Sequence, residues 1–76
     1  GTAHARVAGL LATLAGASPL PAKVRLTQQE LGELLGLTRV TINAALKELE
    51  AGGAIARRYG QIEVLDKAVL DLASLT

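Results

Sequence analysis

Arg39 and Asn43 stand one helical turn apart in the segment RVTINAALKELE, at positions where packing asks for neither residue type. A guanidinium is a rigid fork of donors that fits the two acceptors on a guanine edge. A carboxamide carries one donor and one acceptor, which fit the edge of an adenine. Val40 and Ala44 fall on the same side of the segment. Val40 is limited to apolar contact, for instance with a thymine methyl, and Ala44 is short and neutral, letting the backbone approach rather than reading a base. That is the pattern of a helix entering the major groove of duplex DNA with its N-terminal end leading. Donors suited to phosphate flank these readers. Thr27, Gln29, Thr38 and Thr41 stand at helix starts, where backbone N–H groups and the helix dipole favour an anion. Lys47 lies further along the groove face, and Arg57 and Arg58 follow in a strand, one of the pair pointing away from the sheet toward a neighbouring backbone. Glu33, Glu48 and Glu50 fall off this surface or at its edge.

Each residue also has a plainer role to be weighed. Thr27 and Thr38 cap helices whether or not DNA is present, so they are not independent evidence. Arg57 and Arg58 also fit a solvated strand end. Arg39 and Asn43 are harder to dismiss, because Asn inside a helix costs roughly a few tenths of a kcal/mol relative to Ala.

The elements that must position these side chains are legible around them. Thr27 begins one helix, with Glu30 three residues on to close a capping box, and Leu31, Leu34 and Leu35 form its apolar stripe. Gly36 ends it, where a left-handed residue is needed. Thr38 caps a second helix over residues 39–50, whose buried stripe is Ile42, Ala45, Leu46 and Leu49. Gly32 leaves room for the two to cross closely, as a helix-turn-helix requires. Upstream, residues 2–15 form a helix with Ala3, Val7, Leu10, Leu11 and Leu14 on one side. Its other side, Ala8, Gly9 and Ala12, is small and apolar; it fits either cover by another element of the chain or a contact face for a neighbouring domain or subunit. His4 is a solvated side chain, and a lone histidine makes no metal site.

Residues 16–21, GASPLP, are a linker by composition. Residues 23–26 alternate as a short strand with Val24 and Leu26 inward. Residues 54–58 and 61–65 read as a hairpin about Tyr59-Gly60 that buries Ile55, Ile62 and Val64. Asp66 caps a last helix, with Val69, Leu72 and either Ala68 or Ala73 inward. The fold class is therefore mainly α with a small β-sheet, a winged helix-turn-helix filling residues 1–76 as a single domain.

Composition narrows the remaining classes. The 76 residues hold no Cys, Met, Phe or Trp and one Tyr, so the core is Leu, Val, Ile and Ala. Absence of Cys removes disulfides, thiolate metal sites and thiol catalysis. The net charge of +1 leaves the distribution of cations, not their sum, to argue for a nucleic acid. No apolar run approaches the roughly 20 residues of a membrane span, and no signal peptide is visible, which makes the cytoplasm the expected compartment. Gly1-Thr2 fits a native start, a cloning scar and a cut within a longer protein alike.

The stretch LTQQELGELLGLTRVTINAALKELEAGGAI with the RRYGQIEVLD wing resembles the C-terminal DNA-binding domain of the Crp/Fnr superfamily of bacterial transcription regulators. The likeness runs from RVAGLLATLA to LDKAVLDLA, nearly the whole chain. It implies a domain excised from a longer regulator that dimerises on a palindromic operator through an N-terminal sensor domain and a long helix, with RNA polymerase as a further partner. It implies no cofactor in this domain, a small-molecule or redox effector belonging to the sensor domain. By the same resemblance Arg39 matches the groove-reading arginine, Asn43 a position that contacts bases in some branches, Thr27, Thr38 and Thr41 phosphate-contacting positions, and Lys47 a basic one. Val40 stands where a glutamate is usual and Ala44 where a second arginine is usual, so the family's common operator is not expected.

Two other functions compete. A winged-helix protein-interaction module fits the outward Val40 and Ala44 and the small net charge. An enzyme fits poorly: there is one His, no Cys and no paired acids about a cleft, and Gly52-Gly53 follows a helix where a phosphate loop would follow a strand.

Overall fold

The computed structural model describes residues 2–75, ordered α1 (Ala3–Ala15), β1 (Ala22–Val24), α2 (Gln28–Leu35), α3 (Arg39–Ala51), β2 (Ile55–Arg58), β3 (Gln61–Val64) and α4 (Lys67–Ser74). Helix starts follow side-chain chemistry. Thr2, Thr27, Thr38 and Asp66 each accept the backbone N–H three residues on, and at Thr27 the Glu30 carboxylate accepts the Thr27 N–H in return. Gly36, with φ 67° and ψ 33°, ends α2, and the N–H groups of Gly36 and Leu37 both donate to the Gly32 carbonyl. Three residues therefore turn the chain from α2 into α3. A Cβ on Gly32 would meet the Leu37 carbonyl oxygen at 2.8 Å, so the close crossing requires glycine.

The sheet is antiparallel with order β1-β3-β2, Val64 facing Ala22 on one side and Ile55 on the other. Ala22, Val24, Ile55, Ile62 and Val64 are buried on its inner face against Leu11 of α1, Leu31 of α2, Ile42 and Leu46 of α3 and Leu70 of α4. Arg57, opposite Ile62 in the register, shares that inner face, while Arg58 leaves from the outer one.

The expected order of elements is the observed one, with local corrections. The first strand is Ala22–Val24, starting one residue and ending two residues earlier than its pattern indicates, and Leu26 is half-buried beyond it. Both sides of α1 contribute to the core: Val7 and Leu11 are fully buried as expected, Ala8 and Ala12 are buried too with α4 as cover from the chain itself, and Leu14 is exposed. Leu34 of α2 and Leu72 of α4 point outward at 63% and 67% exposure, and Leu70 fills the core place expected of Leu72.

Candidate nucleic-acid interface

One face of α3 stands clear of the body. With Ile42, Ala45, Leu46 and Leu49 buried, Arg39, Val40, Asn43, Ala44 and Lys47 are exposed, Val40 to 80%. Neither the wing nor α4 covers this stripe; the wing reaches it at Asn43, whose Oδ1 accepts from Arg57. Arg39 and Lys47 make no hydrogen bond or ion pair among the described residues, so both cations are available to an incoming anion or base edge.

Thr38 and Thr41 form a small relay at the front of α3. Thr38 Oγ1 accepts the Thr41 N–H at 3.2 Å and donates to Thr41 Oγ1 at 2.9 Å, which leaves the Thr41 hydroxyl hydrogen free. Thr27 caps α2 and Gln29 lies in its first turn. With Gln28, Arg39, Arg58, Tyr59 and Gly60 they line an open groove between α2 and the wing. Glu30, closing the capping box, places a carboxylate at the same helix end. Tyr59, fully exposed at the hairpin tip, joins this groove. In the sequence it marks only a turn, because its place beside α2 depends on how the wing folds back.

The wing arginines are not free. Arg57 donates through Nε and Nη2 to Glu50 Oε1 at 3.1 and 3.0 Å, and its backbone N–H donates to Glu50 Oε2 at 3.2 Å. Its Nη1 donates to Asn43 Oδ1 at 2.9 Å. Three of the five guanidinium N–H donors are thereby used, and two remain for a phosphate. The Arg57 backbone N–H and guanidinium together hold the Glu50 carboxyl below its ordinary range. Glu50, placed by its sequence position at the edge of the surface, is thus the anchor of a wing-to-helix contact. Arg58 leaves on the outer face, where its Nε lies 2.7 Å from Glu63 Oε1. His4 also departs from its solvated reading: its Nδ1 lies inside the surface, 3.1 Å from Glu48 Oε2 of α3. No group of three His, Cys, Asp or Glu among the described residues is placed to hold a metal, and no helix among them is long and apolar enough to cross a membrane.

Comparison with known proteins follows the same outline. The chain is similar in structure to a CRP-family transcriptional regulator from Thermus thermophilus, with 26% identity and a TM-score of 0.85 over 100% of this chain and 42% of that one. The Thermus thermophilus catabolite activator protein shows 29% identity and a TM-score of 0.82, over 96% of this chain and 34% of that one. The reduced CO-sensing protein from R. rubrum shows 28% and 0.81, over 93% and 35%. The chain therefore spans well under half the length of these relatives. Comparison with curated proteins returns no match. The family model described as the Crp-like helix-turn-helix domain matches residues 5–73, and the chain belongs to that family.

Proposed function

We propose that this chain is the DNA-binding domain of a transcription regulator and recognises duplex DNA sequence-specifically, with α3 in the major groove. The observation that carries this reading is the exposed stripe of α3 led by an unpartnered Arg39. Arg39, Val40, Asn43 and Ala44 face the bases. Thr27, Gln29, Thr38, Thr41, Lys47, Arg57 and Arg58 contact the backbone on either side. The domain engages one half-site, and its parent is a homodimer on a palindromic operator, with the two recognition helices about 34 Å apart. RNA polymerase is a further partner of that parent, which works in the cytoplasm, and its effector acts outside this domain.

Arg39→Ala and Lys47→Ala test the assignment. The first should cost about 1–3 kcal/mol of binding and relax the sequence preference at one base pair. The second should weaken all sequences alike and reduce the dependence of affinity on salt. Mutants that bind every sequence like the parent would remove the groove assignment. Val40, apolar and 80% exposed, is the one observation favouring a protein-docking surface instead. Salt separates the two, because counterion release makes duplex binding fall steeply with ionic strength and an apolar interface hardly responds.

A further inference from the structure

Asn43 is held from behind. Arg57 leaves the sheet on its inner face, where the register sets it opposite Ile62, and so its side chain runs toward α3. There Glu50 grips it at the guanidinium and at its backbone N–H, and the remaining arm of the fork donates to Asn43 Oδ1 at 2.9 Å. A guanidinium has donors and no acceptor, so the carboxamide atom that faces it is the oxygen. The amide orientation, ambiguous for an asparagine in isolation, is thereby fixed. Asn43 Nδ2 is left with both hydrogens unpaired among the described residues, on an exposed side chain of α3.

We propose that Arg57 and Glu50 are positioning residues that set which base Asn43 reads: by holding Oδ1 toward the wing, they turn the amide into a donor. The inference rests on the major-groove reading above and deepens it. Pairing with adenine needs Oδ1 and Nδ2 presented together, one accepting from N6 and the other donating to N7. With the oxygen drawn to the wing, that pattern is broken. Guanine presents two adjacent acceptors, O6 and N7, where adenine sets its N7 acceptor beside an N6 donor, so a donor-only Asn43 favours guanine. Cytosine presents an N4 donor and is disfavoured. The adenine preference that residue type alone suggests is therefore replaced by a preference for guanine, set by a contact between two elements. Ala44 beside it is too short to compete for the same edge.

The test is selection of bound duplexes from a random library by the 76-residue chain, followed by competition with single-base variants of the selected site. Asn43→Ala identifies the base pair read by Asn43, and the parent should select guanine there. Arg57→Met removes the donors while keeping an unbranched stem, and should move the preference to adenine by about tenfold. Arg57→Lys, still a donor without an acceptor, should keep the parental preference. Should Arg57→Met fail to fold by circular dichroism, Glu50→Gln drops the charge that anchors the guanidinium and should move the preference the same way by less. A parent that already selects adenine at that pair, or a preference unmoved by Arg57→Met or its substitute, overturns the clamp. If Asn43→Ala changes no position while Arg39→Ala still relaxes one, the clamp fails and the groove reading stands. If Arg39→Ala relaxes none either, the groove reading itself has failed and the clamp falls with it.

Discussion

Two pairs of helices in this chain meet at a glycine, and the two glycines differ in what they make possible. Between α2 and α3, a Cβ on Gly32 would lie 2.8 Å from the Leu37 carbonyl oxygen, a main-chain atom of the turn itself. Between α1 and α4, a Cβ on Gly9 would lie 3.6 Å from the Ser74 Cβ, an ordinary contact with a side chain at the end of a helix. The first pair is fixed by backbone against backbone, and its turn is locked further by two N–H groups on the Gly32 carbonyl. The second is fixed by side-chain packing around Leu70, with a polar link from Lys67 Nζ to the Gly16 carbonyl at 2.8 Å. Backbone constraint is concentrated between α2 and α3, and the α1–α4 pair carries no comparable one.

The difference can be probed first at its packed side. Leu70→Ala should destabilise the chain by about 2–5 kcal/mol, since the side chain is fully buried and leaves a cavity. Leu72→Ala, two residues on and exposed, should stay within about 0.5 kcal/mol of the parent in urea denaturation. Next comes the main-chain side. Gly32→Ala should cost about 1–3 kcal/mol through overpacking, even though alanine is the better helix former. Gly9→Ala should have the opposite sign and stabilise by up to about 1 kcal/mol, because the added methyl meets only ordinary contact and the helix gains propensity. Equal effects at the two glycines in thermal unfolding would erase the contrast between the pairs.

The same contrast explains what could be read in the sequence. The helix-turn-helix was legible because its signals are local: Thr27 with Glu30, Gly36, Thr38 and the spacing of Ile42, Leu46 and Leu49 each act within a turn or two of chain. Leu34 and Leu72 were misplaced because α2 and α4 each run only eight residues. A stripe that short does not fix its own centre, and Leu70 was chosen over Leu72 by where α1 lies. The face of α1 was undecided for a related reason, since alanines and a glycine are apolar enough to bury and small enough to expose. On the interface, the exposure of Arg39, Val40, Asn43, Ala44 and Lys47 follows from helical periodicity alone. The bonds from Arg57 to Glu50 and Asn43 do not, because they join residues on α3 and β2 whose approach is decided by the fold of the wing.

That joint gives the smallest effect and the one with a pH signature. Glu50 titrates below its ordinary value of 4.5 in the folded chain, held there first by the Arg57 backbone N–H and then by the guanidinium. The unfolded chain thus binds the Glu50 proton at a higher pH than the folded one does. The contribution of the clamp is present in full above pH 4.5 and is lost as the pH falls through the lower folded-state value. Glu50→Gln should therefore be less stable than the parent at neutral pH, by an amount kept small by the exposure of the pair. The gap between the two denaturation curves should narrow below pH 4.5. The Leu70→Ala deficit involves no titrating group and should stay level over the same range. A Glu50→Gln gap that stays equally level would mean that the wing is held to α3 by packing alone, as α4 is held to α1, and that the charge on Glu50 contributes nothing to where Asn43 points.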